Sequence, residues 1–137
     1  MMEMVLQGVS TRKVTQITEE LCGTGFSKST VSKLCQGLDE VVDAFRNRPL
    51  RKHYPFIMVD AMYVKVREDG RVQSKALMIA IGVNEEGHRE VLGFDLWDTE
   101  TEIGWQLFFE SLAARGLRRV QYVISDSHKG LVNALHQ

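Results

Sequence analysis

The sequence predicts an α/β chain: two helices, a short basic strip, and then the element order β-β-β-α-β-α. Three observations predict it. Residues 1–45 repeat apolar side chains at helical spacing. Residues 54–97 hold three runs rich in apolar and β-branched residues, separated by glycine-bearing turns. Beyond them, an amphipathic stretch leads to a fourth such run and a last helical stretch.

The first helix starts at Ser10, whose hydroxyl can accept from the free backbone N–H groups of a helix start. Its apolar positions are Val14, Ile17 and Leu21. Cys22-Gly23-Thr24-Gly25-Phe26 ends it, because either glycine takes the positive φ of a helix end. Ser27 or Ser29 caps a second helix, with Val31, Leu34, Cys35, Leu38, Val42 and Phe45 along one side. Two helices joined by a glycine-bearing turn are a helix-turn-helix candidate. Its second helix would present Lys28, Ser29, Thr30, Ser32, Lys33 and Gln36 outward. These short polar and basic groups reach phosphates and base edges in a major groove. A plain αα-hairpin packed on another surface fits the same pattern. The stretch Gly23 to Thr30 is not a phosphate loop, since Ser27 stands where that motif has Gly and no strand precedes it.

The net charge of −1 argues against a nucleic-acid binder, but the distribution is more informative. Residues 1–45 carry four Lys/Arg and six Asp/Glu, and residues 54–137 carry nine and twelve. Between them, residues 46–53 carry four Lys/Arg and no acid. This basic, proline-containing strip reads as a linker able to lie along a phosphate backbone through Arg46, Arg48, Arg51 and Lys52. A solvated surface turn has the same composition.

Phe56 to Val66 reads as the first strand, Ser74 to Val83 as the second and His88 to Trp97 as the third. Glu68-Asp69-Gly70 and Asn84-Glu85-Glu86-Gly87 are the turns of an antiparallel meander. A helix capped near Thr99 or Thr101 follows, with Ile103, Leu107, Phe108 and Leu112 on its apolar stripe and Gly116 at its end. Val120 to Ser125 reads as the fourth strand, and Lys129 to His136 as the start of another helix. A helical crossover lets strands one and four lie parallel and adjacent.

Two aspartates then stand out, Asp60 within the first apolar strand and Asp126 at the end of the fourth. An ionised carboxylate left unpaired in a core costs several kcal/mol, so a partner is expected. Each acid on its own could cap a turn or pair with a lysine. As neighbours across parallel strands they would repel unless a cation lay between them. Hard oxygen ligands suit Mg²⁺ or Mn²⁺, which can serve hydrolysis or strand transfer at a phosphodiester. His128, at the start of the last helix, is an auxiliary candidate, either for a metal-bound water or phosphate or for an ordinary helix-start hydrogen bond. Lys65 and Arg67 could hold phosphates or simply end a solvated strand. Ser125-Asp126-Ser127-His128 has hydrolase residue types, but adjacent side chains on one strand end do not converge as a triad does.

With 44% hydrophobic and 26% charged residues, the composition is that of a soluble globular protein. No apolar stretch approaches the ~20 residues of a membrane span. The start, Met1-Met2-Glu3-Met4-Val5, does not read as a signal peptide. Cys22 and Cys35 fall on the apolar sides of the expected helices and read as buried free thiols in a reducing cytoplasm.

The chain resembles the Mutator-type transposases of bacterial insertion sequences. The resemblance is carried by Gly8-Val9-Ser10-Thr11-Arg12-Lys13-Val14, Ser27-Lys28-Ser29-Thr30-Val31-Ser32, Phe45-Arg46-Asn47-Arg48-Pro49-Leu50 and Val59-Asp60-Ala61-Met62-Tyr63-Val64-Lys65-Val66-Arg67. It continues through Ala80-Ile81-Gly82-Val83-Asn84-Glu85-Glu86-Gly87, Arg89-Glu90-Val91-Leu92-Gly93, Arg115-Gly116-Leu117 and Ile124-Ser125-Asp126-Ser127-His128-Lys129-Gly130-Leu131. It implies a helix-turn-helix in residues 1–45, a basic linker in 46–53, and part of a ribonuclease-H-like catalytic domain in 54–137. It further implies DNA transposition with Mg²⁺ and an Asp-Asp-Glu triad, with Asp60 as the first acid and Asp126 as the second. The family retains a His in the motif that holds His128.

In the family the glutamate lies further downstream, past a helical region with a Cys-x-x-His motif, and further helical sequence precedes the Gly8 segment. The chain is therefore expected to be an internal piece of a transposase that does not transpose by itself. Met62 departs from the usual Thr and Ser127 from the common Ala. The implied partners are DNA at the element's terminal inverted repeats and either another copy or a full-length transposase. No membrane partner is implied, and the implied location is cytoplasmic, at the nucleoid. Without the family's fifth strand and closing helices, open apolar faces would favour a dimer or an unstable monomer.

Two further readings stand beside this one. Residues 1–53 could bind DNA while the sheet serves only as a passenger or as an inhibitor of full-length transposase. A different ribonuclease-H-like nuclease would instead take its third acid from Glu100 or Glu102.

Overall fold

In a computed structural model the described residues are 3, 4, 7, 9–23, 25, 27–126 and 128–135. The side chains of Thr11, Cys22, Lys28, Ser32 and Leu34 are outside that description. The chain divides into two compact units, Met1–Phe45 and Arg46–Gln137.

In the first unit, α1 spans Thr11–Cys22 and α2 begins at Lys28 and runs to Asn47. Ser10 caps α1 by accepting from Lys13 N–H, and Gly23 ends it at φ 65°. Ser27, rather than Ser29, caps α2: its Oγ accepts from Thr30 N–H at 3.1 Å. Val14 and Val31 are fully buried. Thr18 joins them because its hydroxyl donates to the carbonyls of Val14 and Thr15, which removes the cost of burying it. Leu21, expected on the apolar stripe, is instead 77% exposed.

The second unit is mixed α/β. A four-stranded sheet runs in the order β3-β2-β1-β4, with β1 at Phe56–Glu68, β2 at Arg71–Val83, β3 at Arg89–Trp97 and β4 at Tyr122–Ile124. β1 and β2 pair antiparallel up to Glu68↔Arg71. Asp69 (φ 48°) and Gly70 (φ 75°) close that hairpin with two positive φ values, which match the twist of paired strands. β1 and β2 thus both extend past their expected ends at this hairpin. The Asn84 side chain closes the next turn by accepting from Glu86 N–H and His88 N–H. In the β2–β3 pairing Ala80 faces Gly93 and Ile81 faces Val91, so Leu92 is the extra residue of a bulge, and it is fully buried.

Helix α3, Glu102–Ala114, is capped by Thr101 and crosses from β3 to β4, so β4 lies parallel to β1. Helix α4, Lys129–Leu135, follows. The core joins Ile57, Val59, Met78, Ala80 and Leu92 of the sheet to Trp105, Phe108 and Leu112 of α3 and Leu131 of α4. Ile103 and Leu107, expected on the buried stripe, are 67% and 46% exposed. Trp105 and the bare Gly104 take the inward positions, because the helix lies close to Met78 and Trp97. β4 is shorter than expected, three residues rather than six. Among the described residues no helix is long and apolar enough to cross a membrane.

Residues 46–54 pack against this unit. Leu50 and Tyr54 are buried in the core. Leu50 N–H donates to Arg115 O at 2.7 Å. Arg48 donates to Glu90 Oε1 at 2.8 Å and to Val91 O at 2.7 Å, and Tyr54 donates to Glu90 Oε2 at 2.7 Å. Arg115 closes the cluster with donations to Arg48 O and Leu92 O. Gly82 makes room for Tyr54: a Cβ there would lie 2.6 Å from the ring. Burial, reinforced by Glu90, pushes the Tyr54 hydroxyl up to about 12. The Tyr54 hydrogen bond, followed by that from Arg48, holds Glu90 below the usual carboxylate range.

Two expected outcomes follow from this packing. Leu112→Ala lowers unfolding stability by about 2–5 kcal/mol, whereas Leu107→Ala stays within about 0.5 kcal/mol, as read by denaturant unfolding. The stability that ionised Glu90 contributes is fully present above the ordinary carboxylate value and is lost as pH falls through its lowered one. Glu90→Gln therefore flattens that acid segment of the melting-temperature profile, and an unchanged slope would remove Glu90 from it.

Candidate functional site

The site is built by the parallel strand pair. β1 and β4 are in register at Phe56↔Tyr122, Ile57↔Val123 and Met58↔Ile124. Asp60 and Asp126 each lie two residues beyond the last pair, so the continued register sets them level. Side chains alternate along a strand, and the buried Ile57 and Val59 point to the core. Asp60 is therefore on the opposite, open face with Phe56 and Met58. Asp60 and Asp126 line one cavity of about 390 Å³, walled by Met58, Ile79, Ile81 and Ile124.

Both carboxylates are exposed, which corrects the expectation that they sit in an apolar core. The helical layer carrying Trp105, Phe108 and Leu112 covers the other face, so the alternation that buries Val59 turns Asp60 outward. Each acid commits one oxygen locally. Asp60 Oδ1 accepts from Ala61 N–H at 2.9 Å, and Asp126 Oδ1 accepts from His128 N–H at 3.2 Å. Four residues back along the chain from each acid, Phe56 and Tyr122 stack with ring centroids 5.3 Å apart, a pair no sequence motif announces.

The remaining candidates distribute as follows. His128 is half-buried, with Nδ1 3.1 Å from Glu100 Oε1. Glu100 also accepts from Trp105 Nε1–H at 3.0 Å, and Glu102 accepts from Asn133 Nδ2–H at 2.9 Å. Neither glutamate lines the aspartate cavity. Among the described residues no group of three His, Cys, Asp or Glu side chains is gathered to hold a metal ion. Alternation puts Lys65 and Arg67 on the other face of β1 from Asp60. Ser127 lies outside the described residues.

Of the helical candidates, Ser29, Thr30 and Lys33 are exposed, while the side chains of Lys28 and Ser32 lie outside the description. The Ser29 and Thr30 hydroxyls lie 2.6 and 2.9 Å from Ser27 Oγ, within the cap of α2. In the strip, Arg46 pairs with Asp95 at 2.6 Å and lies over the Phe94 ring, Arg48 pairs with Glu90, and Lys52 reaches Glu90 at 3.5 Å. Arg51 is exposed.

The fold and the acidic pair define a mixed α/β unit with two carboxylates brought level by adjacent parallel strands. The chain belongs to the Mutator family of transposases: the family described as "Transposase, Mutator family" matches residues 1–137. It is 51% identical over 138 residues to the transposase for insertion sequence element IS256 in transposon Tn4001 of Staphylococcus aureus, covering 100% of this chain and 35% of that protein. It is 50% identical over 131 residues to the transposase for insertion sequence element IS1081 of Mycobacterium tuberculosis, covering 95% of this chain and 32% of that one. For the transposase of ISRM5 from Rhizobium meliloti the identity is 46% over 133 residues, 97% of this chain and 33% of the relative. The chain thus spans about a third of the length of the curated relatives it matches.

Because both aspartates are exposed, Asp60→Ala and Asp126→Ala are each expected to change unfolding stability by no more than about 0.5 kcal/mol. Thermal melts of the two variants check this, and a large loss would make either acid structural.

Proposed function

We propose that this chain carries the DNA-binding helices and two of the three acids of an insertion-sequence transposase, whose chemistry is metal-dependent DNA strand cleavage and strand transfer. The observation that carries the reading is the β1–β4 register, which levels Asp60 with Asp126 in one cavity of a chain that belongs to this family. On this reading Met1–Phe45 is a helix-turn-helix and Arg46–Gln137 is part of a ribonuclease-H-like domain. Two exposed carboxylates suit Mg²⁺ or Mn²⁺, which is commonly held by one or two carboxylates with waters and substrate phosphates as its other ligands. Asp60 and Asp126 would hold the cation, and it would supply activation of a water or a 3′-hydroxyl and stabilisation of the leaving oxygen at a phosphodiester.

The chain's own residues have simpler tasks. Asp60 and Asp126 supply anionic oxygens to one cavity. Ser29, Thr30, Lys33 and Arg51, which are exposed, meet DNA phosphates and base edges, with Lys28 and Ser32 on the same helix. Terminal inverted repeats are the DNA such a protein meets. Arg46, Arg48 and Lys52 reach DNA only by leaving the acids they pair with. Among the described residues no third acid is gathered beside the pair, and on this reading the third acid comes from another part of a complete transposase. That same observation favours a second reading, a non-catalytic DNA-binding module that competes with complete transposase. The exposed Phe56, Met62, Tyr122 and Ile124 support association with another copy or with a complete transposase.

Calorimetric titration of Mg²⁺ or Mn²⁺ into the chain tests the reading. Binding to the wild type that is abolished in both Asp60→Ala and Asp126→Ala is the expected result. A folded wild type that takes up neither cation would sink the metal reading and leave the DNA-binding module.

A further inference from the structure

Glu100 is a carboxylate kept from solvent, with a side chain only 9% exposed. A buried carboxylate costs several kcal/mol unless donors surround it. Trp105 Nε1–H is one donor, at 3.0 Å. An indole N–H needs only a neutral acceptor, which an amide would supply as well. The second group facing the carboxylate is His128, whose Nδ1 lies 3.1 Å from the same oxygen. That nitrogen is itself buried and has no aligned hydrogen-bond partner among the described residues. Nδ1 stands within donor distance of Glu100 Oε1, so alignment alone separates this contact from a hydrogen bond.

His128 is also the residue whose backbone N–H holds Asp126 Oδ1 at 3.2 Å, and its carbonyl accepts the first helical bond of α4, from Val132. The start of α4 lies hard against the start of α3: a Cβ on Gly130 would stand 2.9 Å from Glu102 N. The loop carrying the second aspartate is therefore tied to the crossover helix at its root. Glu100 N–H further lies 3.5 Å from Tyr63 Oη, on the strand that carries Asp60.

We propose that Glu100 is a positioning residue for the Asp126 side of the site. It anchors the His128 imidazole through Nδ1–H and thereby fixes the backbone N–H that orients the Asp126 carboxylate. The inference rests on the reading of Asp60 and Asp126 as cation ligands. It deepens that reading by assigning Glu100 a supporting role where the alternative nuclease reading would make it a third ligand. With Nδ1 carrying the proton toward Glu100, Nε2 keeps its lone pair and faces away from the glutamate.

The test uses the metal-free chain first. Nitrogen NMR of His128 reads directly which ring nitrogen carries the proton. The wild type is expected to show the Nδ1–H form, with a slowly exchanging His128 amide. Glu100→Ala is expected to release the Nδ1–H tautomer and to speed exchange of that amide, whereas Glu100→Gln, which keeps an acceptor, restores both. If Glu100→Ala does not fold, Glu100→Asp, too short to meet both donors, carries the comparison. An unchanged tautomer and amide in the truncated variant would overturn the anchor.

Mn²⁺ titration then reads the consequence. Glu100→Ala is expected to weaken Mn²⁺ binding by about 10–100-fold, the usual effect of losing an outer partner at a metal site. Unchanged Mn²⁺ affinity in a variant whose His128 has been released would overturn the positioning role. A wild type with the anchored tautomer but no Mn²⁺ uptake would overturn the cation reading instead, and the anchor would stand on the NMR result.

Discussion

Three residue pairs join β1 to β4, and strands that run parallel cannot be closed by a tight turn. The chain between Trp97 and Tyr122 has to travel back along one face of the sheet, and α3 is that return path. Trp105, Phe108 and Leu112 commit it to the face where Met78, Ala80 and Leu92 lie. Gly104 lets the helix come close, since a Cβ there would already touch Met78 at 3.1 Å. Once α3 occupies that face, side-chain alternation sends Asp60 to the other. The position of the acids is thus a consequence of where Trp105 packs.

The cluster of Arg48, Tyr54, Glu90 and Arg115 fixes a second boundary condition. Its ties are unequal. Arg48 donates to a carboxylate and to backbone carbonyls of β3, so removing it would strand several acceptors. Lys52 touches the same carboxylate at 3.5 Å with a side chain 64% exposed, a pairing of little worth in solvent. Four basic residues that look alike in composition therefore differ in availability. Arg48 is structural, Arg46 is held by Asp95, Lys52 can leave Glu90 at small cost, and Arg51 has no ion pair to give up among the described contacts. Charge counting along the strip cannot see this, because the acids that neutralise it come from β3, some forty residues away.

What the sequence made legible was local chemistry. Ser10, Gly23, Asp69-Gly70, Asn84 to Gly87 and Thr101 each act within a few residues, and each occurs where its hydrogen-bonding or backbone preference placed it. The parallel β1–β4 pair was legible for a related reason, since a helical run between two strands demands a crossover. The face of α3 was not. Ile103, Trp105, Leu107, Phe108, Phe109 and Leu112 surround most of its circumference, so periodicity cannot choose a buried side, and the close fit of Trp105 chooses it instead. The exposure of Asp60 was missed because an apolar strand looks the same whether one face or both are covered. The Glu100–His128 contact was invisible, as it depends on two helix starts meeting.

The open face couples two properties of the site. Phe56, Met62, Tyr122 and Ile124 are apolar and solvated on the strands that lead to the two carboxylates. Parallel pairs are ordinarily buried on both faces, so this one favours a covering surface. Any surface that hides the apolar side chains also takes water from Asp60 and Asp126, whose cavity walls are already apolar. Stripping water from two neighbouring carboxylates costs several kcal/mol per charge, more than the apolar cover returns unless positive charge enters with it. On the proposed cation reading, covering the sheet and binding a cation would therefore be favourable together and unfavourable apart. In such a covered state the attraction between a bound cation and the two carboxylates would strengthen as the local dielectric falls. The solvated, open arrangement is the form in which two bare acids can coexist.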